Sequence, residues 1–254
     1  MHFIFDVDGT ISFNGTKISD SIILKLKEIE QNGAEVSFAS ARPIRDLIPI
    51  IPGFESEHLL IGGNGSIVQS PDNDISVMQP MDETTFITIK KLIDKYSLDY
   101  VIDDFWNYSA KIKAGNKILK QLDPSGLAEN TNIGNIKSPI KIILVNIAAE
   151  KYDEVLSSLK GMTTLNVIEH SGESSIDITT AGVNKFTTLR QYTDEEYIAF
   201  GNDSNDLELL KNAKKSIWVD SENDRLSYLD LKPDFIVPAT DNDLIEIIDL
   251  VNEK

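Results

Sequence analysis

Two acidic residues separated by one position, Asp6 and Asp8, stand at the end of an apolar, β-prone run near the start of the chain. The run stops at the turn signal Asp8-Gly9-Thr10, as a buried strand ending in a loop would. Ligands of open parallel sheets bind beyond such strand ends, where one carboxylate can attack phosphorus and another can protonate the leaving oxygen. Two close acids repel each other unless a divalent cation lies between them. The pattern indicates metal-assisted phosphoryl chemistry, although an Asp-Gly-Thr turn is also ordinary loop chemistry.

Three further polar segments follow predicted strands or open predicted helices. Ser40 comes directly after the predicted strand Val36–Ala39, and Lys185 opens a predicted helix. The segment Gly201-Asn202-Asp203-Ser204-Asn205-Asp206 follows the predicted strand Tyr197–Phe200. Each segment taken alone is typical of a helix cap or a solvated loop, so their common order along the chain is the stronger signal.

The elements that position these residues alternate as strand, helix and strand. Ser19-Asp20 predicts a helix start, and apolar residues recur at helical spacing until Asn32-Gly33. A crossover of this length implies right-handed parallel units. The predicted fold class is α/β: a doubly wound, mainly parallel, Rossmann-like core from residues 1–81 and 180–254, with an inserted α+β module at 82–179.

In this order the motifs resemble those of the haloacid dehalogenase superfamily, specifically its Cof-like phosphatases with a type IIB α/β cap. The resemblance covers nearly the whole chain. It implies that Asp6 is the nucleophile and Asp8 the general acid/base, and that Thr10 closes their loop. It also implies that the Ser40 hydroxyl binds the transferring phosphoryl group and that the Lys185 ammonium offsets negative charge.

The resemblance further implies a Mg²⁺ site formed by Asp6, Asp8, Asn202 and Asp206. The family usually has Asp where this chain has Asn202, so two alternatives stay open: the Asn202 amide oxygen binds the ion, or Asp203 replaces it. Spacing to Asp206 favours Asn202, and the lost charge is expected to weaken binding. Asp206 is expected to orient metal-bound water or Lys185.

A second implied set binds the substrate. Its members are Thr10, Ser40, Ala41, Arg42, Lys185 and Asn205. Relatives usually have Gly at the position of Ala41. The inserted module is expected to act as a cap that selects the leaving group, and its residues Trp106 and Tyr108 either contact a polar substrate or belong to the cap core.

Composition limits the classes of partner. The net charge of −17 disfavours nucleic acid and anionic membranes, and the chain has no cysteine for disulfides or thiolate chemistry. No apolar run approaches the roughly 20 residues needed to span a bilayer, and no secretory signal is visible. These features predict a cytoplasmic protein with no evident obligate protein partner.

The sequence therefore predicts a Mg²⁺-dependent phosphatase for small phosphate monoesters, with sugar phosphates favoured, acting through a phosphoaspartate on Asp6. Two alternatives stay open. A phosphotransferase or mutase would pass the same phosphoryl group to a second substrate. A non-catalytic module that binds phosphate ligands is suggested by the Asn202 departure alone.

Overall fold

The computed structural model describes residues 1–170, 174–221 and 225–252. The chain divides into two compact units, Met1–Ser76 with Asn184–Lys254, and Val77–Val183. The second unit is thus inserted between the two parts of the first.

The elements follow one another in the order expected of an interrupted α/β chain. The described strands are β1 (His2–Phe5), β2 (Glu35–Ala39), β3 (Leu60–Gly62), β4 (Ile67–Gln69), β5 (Ile75–Val77), β6 (Asp99–Asp103), β7 (Tyr108–Lys111), β8 (Lys141–Val145), β9 (Leu165–His170), β10 (Ser175–Thr180), β11 (Tyr197–Gly201), β12 (Lys215–Asp220) and β13 (Phe235–Pro238). The described α-helices are α1 (Asp20–Gln31), α2 (Ile44–Leu47), α3 (Glu83–Tyr96), α4 (Ala149–Lys160), α5 (Lys185–Leu189), α6 (Leu207–Lys211) and α7 (Asp241–Asn252).

The first unit is built on a sheet with the strand order β13-β12-β11-β1-β2-β3-β4-β5. Its strands from β13 to β3 pair in parallel, and β4 returns antiparallel to β3. Helix α1 packs against α7, and α5 packs against α6. The predicted α/β fold class is confirmed.

Strand β1 lies at the centre of this sheet because its residues are apolar on both faces. Phe3 and Phe5 are fully buried, and the Phe5 ring stacks on Phe200 of β11 with ring centroids 4.6 Å apart. A strand that is buried on both faces has a continuous run of apolar residues, and the sequence of β1 has such a run. Its carboxyl end delivers Asp6 to the edge where β2 and β11 also end.

Helix α1 begins where the sequence predicts. The Ser19 hydroxyl caps it by accepting from the Ile22 N–H, and its buried face contains Ile22, Leu26 and Ile29. A serine N-cap of this kind stabilises a helix by about 1 kcal/mol.

The second unit has its own antiparallel sheet, in the order β7-β6-β8-β10-β9, and its own core. Helices α3 and α4 supply Phe86, Ile89 and Val155 to that core, against Ile142 and Ile178 of the sheet. The sequence analysis missed the edge strand β7, because Tyr-Ser-Ala-Lys has too little apolar alternation to indicate a strand. Across the described ranges, no helix is both long and apolar enough to cross a membrane.

Candidate active site

Asp6 is the first residue after β1, and its backbone N–H donates to the Phe200 carbonyl at 2.9 Å. Its side chain is buried and both carboxylate oxygens accept hydrogen bonds. Lys185 Nζ donates to Oδ1 at 2.6 Å, and Thr10 Oγ1 donates to Oδ2 at 2.8 Å. The predicted nucleophile is therefore held in one orientation by two predicted site residues.

The loop after Asp6 curls back so that Thr10 reaches its carboxylate. The N–H groups of Thr10 and Ile11 both donate to the Val7 carbonyl, and Gly9 has a φ of +84°. A Cβ atom on Gly9 would lie 2.1 Å from Asn202 Nδ2. Glycine is required there both for its backbone conformation and for the close approach of Asn202.

Lys185 is the first residue of α5, and Asn184 caps that helix through a reciprocal pair of bonds with Thr187. Its buried ammonium lies between two carboxylates, 2.6 Å from Asp6 Oδ1 and 2.6 Å from Asp206 Oδ1. Burial disfavours the charged ammonium, but the charges of Asp206 and Asp6 outweigh it and raise the pKa of Lys185. The lysine is therefore a fixed cation at neutral pH.

One ammonium does not balance two buried carboxylates. Burial and the charge of Asp206 raise the pKa of Asp6 to about 7, against the opposing effect of Lys185. A second cation beside Asp6 would favour its ionised form. The charge balance of the cluster thus fits a bound metal ion.

Asp206 is completely buried and engaged on both oxygens. Oδ1 accepts from Lys185, and Oδ2 accepts from the N–H groups of Asn202 and Asp203 at 3.0 and 3.1 Å. Gly201 leaves the room for it, because a Cβ atom there would lie 2.6 Å from the Asp206 Cβ. These contacts favour a positioning role for Asp206 over the predicted role of metal ligand.

Asn202 lies beside Asp6. One terminal atom of its amide is 3.2 Å from each of three oxygens, Asp6 Oδ2, the Asp8 carbonyl oxygen and Thr10 Oγ1. The amide of Asn202 has two possible orientations. If the nitrogen occupies this position, it donates hydrogen bonds to the three oxygens. If the oxygen occupies it, several oxygens lie close together, and a bound cation would stabilise them. Asp203 instead uses Oδ1 to accept from the Ser204 N–H at 2.6 Å.

The oxygen atoms of Asp6, the Asp8 carbonyl and the Asn202 amide are suitable ligands for Mg²⁺. A carboxylate, a backbone carbonyl and an amide oxygen are ligand types it accepts, and adjacent oxygens on an ion with bonds of about 2.1 Å lie about 3 Å apart. The described ranges contain no group of three His, Cys, Asp or Glu side chains able to hold a metal. A site here would therefore use Asp6, the Asp8 carbonyl and Asn202. Sequence reasoning missed the carbonyl because a backbone ligand has no residue signature.

Asp8 and Arg42 form a bidentate ion pair. Arg42 Nε donates to Asp8 Oδ2 at 2.7 Å and Nη2 donates to Oδ1 at 2.6 Å, while Nη2 also reaches the Gly15 carbonyl at 2.5 Å. The Arg42 side chain is 7 % exposed and that of Asp8 is 32 % exposed. Arg42 therefore orients Asp8, the predicted acid/base. The sequence analysis places Arg42 among the substrate-binding residues and does not predict this ion pair.

Ser40 and Asn205 complete the predicted set, together with Ala41, which lies between Ser40 and Arg42. The buried Ser40 Oγ accepts from the Arg42 N–H at 3.1 Å, so its own proton remains for donation. Asn205 Nδ2 donates to Asn64 Oδ1 at 2.9 Å. Asn64 was missed as a site residue; the Gly-Gly-Asn-Gly turn directly after β3 was the available signal.

Comparison with known proteins identifies the family of the chain. The family described as haloacid dehalogenase-like hydrolase matches residues 3–242. A 5-amino-6-(5-phospho-D-ribitylamino)uracil phosphatase from Bacillus subtilis is 26% identical over 230 residues, 81% of this chain and 81% of its own.

Two solved structures share the fold. A protein from Streptococcus mutans superposes with a TM-score of 0.81 at 20% identity, covering 100% of this chain and 99% of its own. A sugar phosphatase of subclass IIB superposes with a TM-score of 0.73 at 18% identity, covering 98% of each chain. With the family match spanning nearly its whole length, the chain belongs to the haloacid dehalogenase-like hydrolases and is an enzyme of that family.

Proposed function

We propose that this enzyme is a Mg²⁺-dependent phosphatase of small phosphate monoesters, with Asp6 as nucleophile. The observation that carries the proposal is the Lys185 ammonium held between Asp6 and Asp206, with Asn202 and the Asp8 carbonyl beside the same carboxylate. Phosphoryl transfer needs mainly positioning and charge stabilisation, and this cluster provides both.

In the first step, a carboxylate oxygen of Asp6 bonds to phosphorus as the bond from phosphorus to the ester oxygen breaks. Asp8 gives its proton to the departing alkoxide, so the alcohol leaves neutral. The ammonium of Lys185 and the hydroxyl of Ser40 offset the charge that develops on the phosphoryl oxygens.

In the second step, Asp8 takes a proton from water, whose oxygen attacks phosphorus and releases Asp6 and inorganic phosphate. Arg42 orients the ionised Asp8 through both carboxylate oxygens, and one of these two bonds opens when Asp8 carries the proton of the first step. When bound at Asp6, the Asp8 carbonyl and Asn202, Mg²⁺ would add the positive charge that the buried carboxylates and the substrate phosphate require.

Release of inorganic phosphate from a panel of esters with Mg²⁺ tests this proposal. The panel should contain sugar phosphates, nucleotides and a ribityl phosphate, because a Bacillus subtilis relative is a phosphatase for a phosphoribitylamino compound. Sugar and polyol phosphates are expected to be the best substrates. If no ester in the panel releases phosphate, the proposal is wrong.

Binding of Mg²⁺ is expected to depend on pH. Protons compete with the ion for Asp6, whose pKa is raised to about 7, so the affinity should fall up to about tenfold for each pH unit below that value and level off above it. Calorimetric titration with MgCl₂ across this range measures the effect without any turnover. An affinity independent of pH would contradict the role of Asp6 as a ligand.

The metal-free protein should show the corresponding effect on stability. The folded pKa of Asp6 lies above its ordinary value of 3.8, so the folded state binds more protons between these values. The contribution of Asp6 to the free energy of unfolding is therefore lost as the pH rises from about 4 to about 7. Subtracting the same curve for Asp6→Asn isolates this contribution from those of other groups.

We also propose that the inserted unit selects the leaving group and that charged residues of its sheet contribute to this selection. The residues Asp103, Lys141 and Asp177 alternate with the core residues of β6, β8 and β10 and are buried. Lys141 Nζ lies 2.8 Å from Asp177 Oδ2, with side chains 3% and 5% exposed. A row of charged hydrogen-bonding groups suits a hydroxyl-rich leaving group.

Replacing these three charged residues with apolar residues tests the assignment. The triple variant Asp103→Leu/Lys141→Met/Asp177→Leu should remain folded, because it leaves none of the three charges buried alone and apolar replacement of buried ion pairs is often neutral or stabilising. Its kcat/KM for the best sugar phosphate should fall by about 10² while that for acetyl phosphate changes by less than about threefold. Equal losses on both substrates would show that the three residues are structural.

Trp106 and Tyr108 of the same unit take part in local hydrogen bonds. Trp106 Nε1 donates to the Leu127 carbonyl at 2.8 Å, and Tyr108 begins β7, where its N–H donates to the Glu129 carbonyl at 3.1 Å. Both side chains are half-buried and neither belongs to the described core of the unit, so binding of substrate by Trp106 or Tyr108 stays a prediction.

A further inference from the structure

We propose that Asn64 is a positioning residue for the reaction and acts through Asn205; this inference rests on the proposed phosphatase function. Asn64 lies in the turn Gly62–Gly65, which follows β3 and touches each of the segments that carry Ser40, Lys185 and Asn205. The turn is hereafter called the Asn64 turn.

The backbone of the Asn64 turn is unusual for a buried segment. Asn64 is 1% exposed and has φ 58° and ψ 29°, which is the left-handed region. Asparagine tolerates this conformation better than other residues with a Cβ atom, and glycine takes it without strain. The backbone alone therefore permits either residue, and the presence of an amide needs a separate reason.

The first contact of the turn is with the segment after β2. The Asn64 N–H donates to the Ser40 carbonyl at 3.0 Å, and the Gly63 N–H donates to the Arg42 carbonyl at 2.7 Å. A Cβ atom on Gly62 would lie 2.8 Å from that same Arg42 oxygen. The turn thus fixes the backbone that presents the Ser40 hydroxyl and the Arg42 guanidinium.

The second contact is with the start of α5. The Thr188 hydroxyl donates to the Gly65 carbonyl at 2.8 Å, and a Cβ atom on Gly65 would lie 2.5 Å from the backbone of Asn184. Asn184 is the cap residue directly before Lys185. The turn therefore also sets where the lysine enters the site.

The third contact is made by the Asn64 side chain itself. Its Oδ1 accepts from Asn205 Nδ2 at 2.9 Å, across 141 positions of sequence. The Asn205 Oδ1 atom is buried and has no hydrogen-bond partner within the described ranges. Since a buried acceptor without a partner is unfavourable, the geometry points to a donor that arrives with the reaction, a substrate hydroxyl or a water. The Asn64 amide keeps the Asn205 acceptor in place for it.

Three substitutions separate the amide from the backbone. Asn64→Gly keeps the left-handed turn and removes the amide, so kcat should fall by about tenfold with KM within about twofold. Asn64→Asp keeps an acceptor for Asn205 Nδ2 and should retain kcat within about threefold. Asn64→Ala should lower both kcat and the melting temperature, because it removes the amide and also strains the left-handed turn.

A double-mutant cycle provides the decisive readout. Asn205→Ala should reduce kcat as much as Asn64→Gly does, and the double variant should be no slower than either single variant. Multiplicative losses, or Asn64→Gly with the wild-type kcat, would overturn the inference and leave Asn64 as a backbone requirement only. An inactive wild-type enzyme on the ester panel would instead reject the proposed function, so the two failures are distinguishable.

Discussion

Asp6→Asn is expected to reduce kcat by about 10⁴-fold or more while the enzyme remains folded. The amide is nearly the same size as the carboxylate but does not form the covalent phosphoryl intermediate, so the main route of the reaction is lost. Initial rates of phosphate release from the best ester of the panel, at saturating substrate and Mg²⁺, measure the loss.

The same substitution should not reduce stability at about pH 8. It removes one of two carboxylates that share a single buried ammonium, and Lys185 keeps its contact with Asp206 at 2.6 Å. A melting temperature equal to or above that of the wild type is expected in the absence of metal. Loss of activity through unfolding is thereby separated from loss of the nucleophile.

Asp203→Asn is the matched control for this variant. It removes the same charge from the loop beside Asp6, but the asparagine still supplies an acceptor for the Ser204 N–H. Its kcat should stay within about fivefold of the wild type. Retained activity in Asp6→Asn, or a loss in Asp203→Asn as large as that in Asp6→Asn, would contradict the assignment.

Lys185→Met is expected to reduce both activity and stability. It removes a cation that donates to Asp6 and Asp206 and leaves two buried carboxylates without it. Breaking a buried ion pair by removing one partner lowers the free energy of unfolding by about 3–5 kcal/mol. The rate should fall by about 10²–10³, the usual effect of removing one preorganised donor.

The pH dependence of this variant gives a second measurement. Without Lys185 the Asp6 carboxylate loses a cation that lowers its pKa, so the stability deficit against the wild type should increase as the pH rises. Denaturant titrations at several pH values measure it. A deficit that shrinks with rising pH would show that the two carboxylates do not share the ammonium.

Lys25→Met is the matched control, because Lys25 also contacts two carboxylates. Its Nζ lies 2.8 Å from Glu28 and 2.9 Å from Asp249, but these partners are 57% and 53% exposed. Solvent-exposed pairs of this kind contribute about 0–1 kcal/mol. A small change in stability and an unchanged kcat are expected, so a comparable loss in both lysine variants would reject the special role of Lys185.

The parts of the fold that the sequence predicts well are those with a strong local pattern. The buried strand β1, the capped helix α1 and the alternation of the first unit all follow from apolar spacing and turn residues. The edge strand β7 has no such pattern, because its pairing with β6 rather than its composition makes it a strand. The chain divides into its two units after Ser76 and Val183, and the role of the inserted unit as a cap stays a prediction.

The residues of the candidate site also fall into two groups, those that the sequence predicts and those that only the structure identifies. Asp6 is predicted from its place at a strand end, Lys185 and Asp206 are predicted from the resemblance to the family, and all three converge in space. The pair of Arg42 with Asp8 and the pair of Asn64 with Asn205 depend on the path of loops between distant segments. Residue type and spacing carry no information on such pairings, so only coordinates identify them.

The most direct test of the account is a search for the phosphoryl group on Asp6 during turnover. The enzyme is mixed with Mg²⁺ and its best ester, quenched in acid within the first turnovers and mapped by peptide mass spectrometry. We expect one phosphoryl group on the peptide that contains Asp6 and none in Asp6→Asn. Steady phosphate release with Asp6 unmodified at every quench time, and with undiminished turnover in Asp6→Asn, would contradict the account.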